Sequence, residues 1–172
     1  MRVWVALLRA VNVGGHGKIT MEELRSIFES AGCLHVRTYI ASGNVVFRAG
    51  GTEAEIRDRL ERAIEVETGG HVDVMLRSSG DLEAAFQACP FRAHPGNRVV
   101  IVFLPGPVAE GGLTDVRGRN GEEIDCAARE VFIHYPMGMA RSRLRVPAME
   151  SGTARNLNTV SKLIEMARET GA

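Results

Sequence analysis

Two four-residue stretches, Thr20-Met21-Glu22-Glu23 and Thr52-Glu53-Ala54-Glu55, share one spacing, and it constrains the fold more than any other feature. A threonine hydroxyl with a glutamate three positions on closes a capping box, so each stretch starts a helix. After the first, Leu24, Ile27, Phe28 and Ala31 form an apolar stripe that Gly32 ends. After the second, Ile56, Leu60 and Ile64 do the same before Gly69-Gly70. Short apolar runs surround both helices. Residues 2–9 read as a buried strand and "HVDVMLR" as another. Between the helices, Val36, Tyr39 or Ile40, then Val45, Val46 and Phe47, flank Ser42-Gly43-Asn44, which predicts a hairpin or a sharply bent strand. The order over residues 1–78 is therefore β-α-β-β-α-β. That is the split βαβ, ferredoxin-like arrangement, an antiparallel sheet with both helices on one face.

Residues 79–172 predict a second small α/β subdomain with a hairpin and a C-terminal helix. Ser78 or Ser79 caps a helix running to about Cys89, which Pro90 closes. "VVIVFL" is a second buried strand, and "EEIDCAAREVFIHY" alternates like a second hairpin. "PMGMARSRLRVPAME" reads as loop and short helix broken by Pro147. "TARNLNTVSKLIEMARET" reads as a final helix with Leu157, Val160, Ile164 and Ala167 on one stripe. The second half thus follows the order strand, connection, hairpin, helix, without a sequence repeat beneath it. The expected class is α+β.

At 172 residues the chain suits one domain or two small ones. Its 21 basic and 21 acidic side chains cancel, so nucleic-acid binding would need local clustering of charge. Aromatic residues are 5% of the total, few for a base-stacking platform. Cys33, Cys89 and Cys126 lie far apart, an odd set that suits a reducing cytosol better than a disulfide framework. "MRVWVALLRAV" is cut by Arg9 and lacks a cleavage-like site, against a signal peptide, and no apolar run approaches the ~20 residues of a membrane span. A cytoplasmic protein with no membrane partner is expected.

"RAVNVGGHGKIT" is the most glycine-rich connection. A phosphate-binding P-loop needs Gly where Asn12 stands and a hydroxyl where Ile19 follows Lys18; the dinucleotide pattern breaks at Thr20. What is left is a general anion site ahead of a helix N-terminus, or a plain connection whose glycines permit tight turns. The five histidines, at 16, 35, 71, 94 and 134, show no metal-ligand spacing, and Cys89 with His94 lacks further ligands, so neither metal nor cofactor is expected. Cys126 and His134 can face one another across the second hairpin, as a nucleophile and base would; a core cysteine with a strand-end histidine is the simpler alternative. Further on, Arg141, Arg143 and Arg145 precede Arg155, Asn156, Asn158 and Thr159 at the start of the last helix. These donors suit an anion. Alternatively, Thr153 caps the helix and the arginines are a solvated face.

Three segments, "VALLRAVNVGGHGKITMEELRSIFESAG", "VRTYIASGNVVF" and "TARNLNTVSKLIEMA", resemble in order the signature segments of the DUF1697 family of bacterial proteins, and "YPMGMARSRL" fits between them. Ala10 stands where that family usually has Gly, and Leu157 where it usually has Trp. The resemblance implies a two-part α/β fold with a ferredoxin-like first portion, and it implies no assigned activity. It singles out the Arg9–Lys18 loop, Ser42-Gly43-Asn44 and Thr153–Thr159. If these meet in a cleft between the subdomains, Arg9, Asn12, Gly14, Gly15, Lys18, Ser42, Asn44, Arg155, Asn156 and Thr159 are the ligand-binding residues. Rich in donors and poor in carboxylates, they point to a small anionic ligand, a nucleotide or phosphorylated metabolite. One alternative is an enzyme acting in the same cleft on a phosphate- or carboxylate-bearing substrate, although no catalytic residue stands out. Another is an RNA-binding protein, for which "SGNVVFR" offers only Phe47.

Overall fold

In the computed structural model, which describes residues 1–11 and 18–172, both capping boxes form. Thr20 Oγ1 accepts the Glu23 N–H at 3.1 Å, and Glu23 Oε2 accepts the Thr20 N–H at 2.8 Å. Thr52 and Glu55 do the same at 3.2 and 2.8 Å. These boxes start α1 (Met21–Ser30) and α2 (Glu53–Thr68). Gly69, with φ +77°, ends α2 in the left-handed conformation that glycine adopts without a Cβ penalty.

Among the described residues the architecture is α+β, with two four-stranded antiparallel sheets and four helices. The chain divides into two compact units, Met1–Leu82 with Leu163–Ala172, and Glu83–Lys162. In the first, β1 (Arg2–Leu8), β2 (Leu34–Tyr39), β3 (Asn44–Ala49) and β4 (Val74–Ser78) lie in the order β2-β3-β1-β4. One face of this sheet, through Trp4, Ala6, Leu8, Phe47 and Leu76, shares a buried cluster with Leu24, Phe28, Ile56 and Leu60 of the two helices. Phe28 and Phe47 meet edge to face, their centroids 5.3 Å apart.

The second unit holds β5 (Val99–Phe103), β6 (Glu123–Ala127), β7 (Glu130–His134) and β8 (Thr153–Asn156), in the order β6-β7-β5-β8. Counted from its own first strand, each sheet therefore runs 2-3-1-4. The correspondence reaches single residues. Arg77 on β4 lies opposite Val5 at the middle of β1, and Arg155 on β8 lies opposite Ile101 at the middle of β5. Each guanidinium donates to the carbonyl just before it, Leu76 O at 2.8 Å and Ala154 O at 3.0 Å. In each case the next residue opens a helix. Ser78 Oγ accepts the Asp81 N–H at 3.1 Å at the start of α3 (Ser79–Ala88), and Asn156 Oδ1 accepts the Thr159 N–H at 2.9 Å at the start of α4 (Leu157–Gly171).

Two boundaries differ from the sequence reading: the strand expected over "HVDVMLR" is observed at Val74–Ser78, and the last helix begins later than expected. The last helix starts at Leu157, and Thr153–Asn156 is a strand at the edge of the second sheet. Thr153 and Arg155 point inward while Ala154 is exposed, the two-residue alternation of a strand. No helix among the described residues is long and apolar enough to cross a membrane.

Candidate functional site

In the first unit, the end of β1 gathers two of the expected segments. The Leu8 N–H donates to Gly43 O and the Arg9 N–H to Asp73 O, both at 2.9 Å, so the strand end lies between the Ser42-Gly43-Asn44 turn and Asp73. Arg9 also makes an ion pair with Asp73 at 3.5 Å. Asn44 is fully buried at the start of β3, and its Nδ2 donates to Tyr39 O and to Ser42 Oγ, each at 2.9 Å. Gly43 has φ +81°, and a Cβ on it would press on Leu8 Cβ at 2.9 Å. The Asn44 amide and Gly43 thus serve the turn itself. The exposed Ile40, at φ +50°, is a β-branched residue in a conformation that costs it energy. Lys18 lines a recess of about 400 Å³ shared with Glu23, Ser26, Ser30 and Glu67, where the two carboxylates weigh against an anion. Asn12, Gly14 and Gly15 lie outside the described residues.

In the second unit, Arg155, Asn156 and Thr159 sit together at the β8–α4 corner. Asn156 and Thr159 supply the helix cap. Arg155 is buried, donates to Thr153 Oγ1 at 2.6 Å, and loss of water around it pushes its guanidinium down to about 10. These three residues are engaged in the corner they build.

A more open basic feature lies elsewhere in this unit. Gly118, Asn120, Glu122, Gly138, Arg141 and Arg143 line a recess of about 510 Å³. Glu122 is occupied within the wall, since Ser142 Oγ donates to its Oε1 at 2.7 Å and the Asn120 N–H donates to its other oxygen. Those hydrogen bonds, the Ser142 hydroxyl foremost, hold the Glu122 carboxyl below the ordinary carboxylate value.

The second hairpin overturns one candidate pair. Cys126 lies opposite Val131 and His134 opposite Glu123, so strand alternation puts the thiol and the imidazole on opposite faces of the sheet. His134 instead meets His94, on the segment before β5. Their rings stack with centroids 3.7 Å apart and planes at 14°. Glu123 Oε1 stands 2.9 Å from His134 Nδ1 and 3.9 Å from His94 Nε2. Sequence spacing gave no sign of this cluster, because His94 reaches it from another part of the chain. A second group, Glu61, His71 and Asp73, converges in the first unit. There the hydrogen bond that the His71 ring donates to Asp73 raises the His71 pKa, and Glu61 Oε1 accepts the Val74 N–H at 3.0 Å.

Comparison with known proteins places this geometry in a family. The sequence profile described as "Protein of unknown function (DUF1697)" matches residues 1–132. The structure of the conserved bacterial protein SP0830 from Streptococcus pneumoniae is similar in fold, with a TM-score of 0.80 at 24% identity, covering 96% of this chain and 98% of that one. No curated protein matches the sequence. With the profile spanning residues 1–132, from β1 into β7, the chain belongs to the DUF1697 family.

Proposed function

We propose that this protein binds a small anionic ligand, a nucleotide or phosphorylated metabolite, and that the recess flanked by Arg141 and Arg143 receives it. The observation that carries the reading is the composition of that recess. Two arginines and the glycine-bearing turns at Gly118 and Gly138 line it, and its carboxylate is already satisfied by Ser142 and Asn120. Guanidinium forks and turn amides are the groups that recognise phosphate oxygens. In a chain whose net charge is zero, such local clustering is what an anion site requires. The three free cysteines fit a reducing cytoplasm, where phosphorylated metabolites are found.

We further infer that the first unit is a ferredoxin-like, split βαβ module. The β2-β3-β1-β4 order of its sheet, and the placing of α1 and α2 over one face of that sheet, support this. The second sheet repeats the strand order, but among the described residues no α-helix joins β5 to β6 or β7 to β8.

A thermal-shift panel of pyrophosphate, nucleoside diphosphates, sugar phosphates and short RNAs tests the ligand class. A ligand at a hundred times its dissociation constant adds about 2.7 kcal/mol, several degrees for a protein of this size. The shift is expected with a phosphorylated small molecule and is expected to vanish in Arg141→Ala and Arg143→Ala. A shift that survives both substitutions would show that the recess is not the site.

A further inference from the structure

We propose that His94, Glu123 and His134 form a binding site for a divalent transition-metal ion of the zinc class. One ligand atom from each lies within 4.8 Å of the other two. Two imidazoles and one carboxylate are the donors of sites in which three protein ligands hold the ion and another position stays open. Imidazole nitrogen favours zinc and its first-row neighbours, whereas magnesium and calcium sites are built from oxygen.

The second unit supplies a frame for the three ligands. Glu123 and His134 are cross-strand partners, so the β6–β7 ladder fixes their spacing. Their facing atoms are 2.9 Å apart, and opening them to the roughly 3.4 Å between tetrahedral ligands that each stand about 2.1 Å from one ion is a small side-chain adjustment. His94 is carried by a tethered segment. Its N–H donates to Phe91 O at 3.1 Å, and the Tyr135 N–H, one residue past His134, donates to Arg98 O at 2.7 Å. The Phe91 ring, 6.1 Å from His134, shields the buried imidazole. The side chains of His94 and Glu123 remain 42% and 52% exposed, so an ion reaches the cluster from solvent and keeps an open position facing it.

The stack of the two rings gives binding a signature. Nitrogen lone pairs lie in the ring planes, and in nearly parallel planes 3.7 Å apart they do not converge on one point. To share an ion, the exposed His94 ring must turn out of the stack while His134 stays. Metal uptake therefore separates the rings. The Glu61-His71-Asp73 group serves as an internal comparison, since Arg9 already neutralises its Asp73 from 3.5 Å.

The test is a zinc titration of the full chain against a chromophoric chelator, with imidazole resonances followed by NMR. One tight equivalent is expected, moving the His94 and His134 resonances together and leaving His71 in place. His94→Ala, an exposed loop change that spares the core, and Glu123→Gln, which keeps the side-chain shape, are each expected to weaken binding at least tenfold. His71→Ala is expected to leave it unchanged. Wild-type affinity in His94→Ala would overturn the proposal. So would unmoved His94 and His134 resonances, or a sulfur-to-metal charge-transfer band when cobalt replaces zinc.

Discussion

Gly118 lies directly against the main chain of Arg143, so that a Cβ added to it would overlap the Arg143 carbonyl oxygen. Its φ of +68° is also one that side chains rarely adopt. Beside it, Arg117 and Arg145 exchange backbone hydrogen bonds at 2.9 and 2.8 Å, which fixes the wall that presents Arg143. Gly118→Ala must both move this backbone and strain its own. The expected cost is about 2–4 kcal/mol in urea unfolding. A loss under about 1 kcal/mol would mean that the wall yields easily.

Ser142 and Glu122 make stability depend on pH in the acid range. Because the folded carboxyl sits below its ordinary value of 4.5, it stabilises the protein above that value, and the contribution disappears as pH falls through the folded value. Removing the strongest donor with Ser142→Ala is expected to lower Tm at pH 7 and to narrow the gap between the melting points at pH 7 and in acid. Parallel melting curves for wild type and variant across that range would argue against this role.

Asn44 is a buried amide with two satisfied donor bonds, one to Tyr39 O and one to Ser42 Oγ. Asn44→Ala removes the amide bond to the carbonyl of the half-buried Tyr39 and is expected to cost about 1–3 kcal/mol. Asn44→Asp turns a carboxylate oxygen toward that carbonyl. It is expected to cost more, and to recover part of the loss as the carboxyl is protonated. Chemical denaturation at two pH values separates the two variants.

The three thiols differ in access. Burial pushes Cys33 up to about 11 and raises Cys89 as well, whereas Cys126 is half exposed. A thiol reagent at pH 8 is expected to label Cys126 rapidly and the other two only in denaturant. Rapid native labelling of Cys33, read by mass spectrometry, would contradict the burial described.

Ala10, at φ +55°, adopts the left-handed conformation that glycine takes without strain. Ala10→Gly removes the strain and adds freedom to the unfolded chain, effects of opposite sign. The expected balance is a gain of about 0.5–1 kcal/mol. A measured loss would show that the backbone at residue 10 is not held as described.

The helices α1 and α2 were legible in the sequence because their signals are local. A threonine and a glutamate three residues apart, followed by a stripe, fix each start and each buried face. β8 was not, because Thr-Ala-Arg-Asn is polar and becomes a strand only by pairing with β5, far back in the chain. The hairpin was visible, but its register was not. The pairing of Ala127 with Glu130 sets the alternation that puts Cys126 opposite Val131 and Glu123 opposite His134. Among the expected site residues, the Ser42-Gly43-Asn44 turn was recognisable from its residue types. That Asn44 spends its amide on the turn, and Asn156 its carbonyl on a cap, depends on burial and hydrogen bonding that no single stretch reveals.

Each sheet places its first-made strand in an inner position, and this sets an order on assembly at the ribosome. β1 emerges with both hydrogen-bonding edges open, and they close only when β3 and later β4 have been translated. Trp4 to Leu8, all buried in the finished protein, must wait through that interval. Leu163–Ala172 belong to the first unit but follow the second in the chain. The unit that begins synthesis first is therefore completed last, and a chain stalled before Leu163 would hold a finished second sheet beside an unfinished first unit.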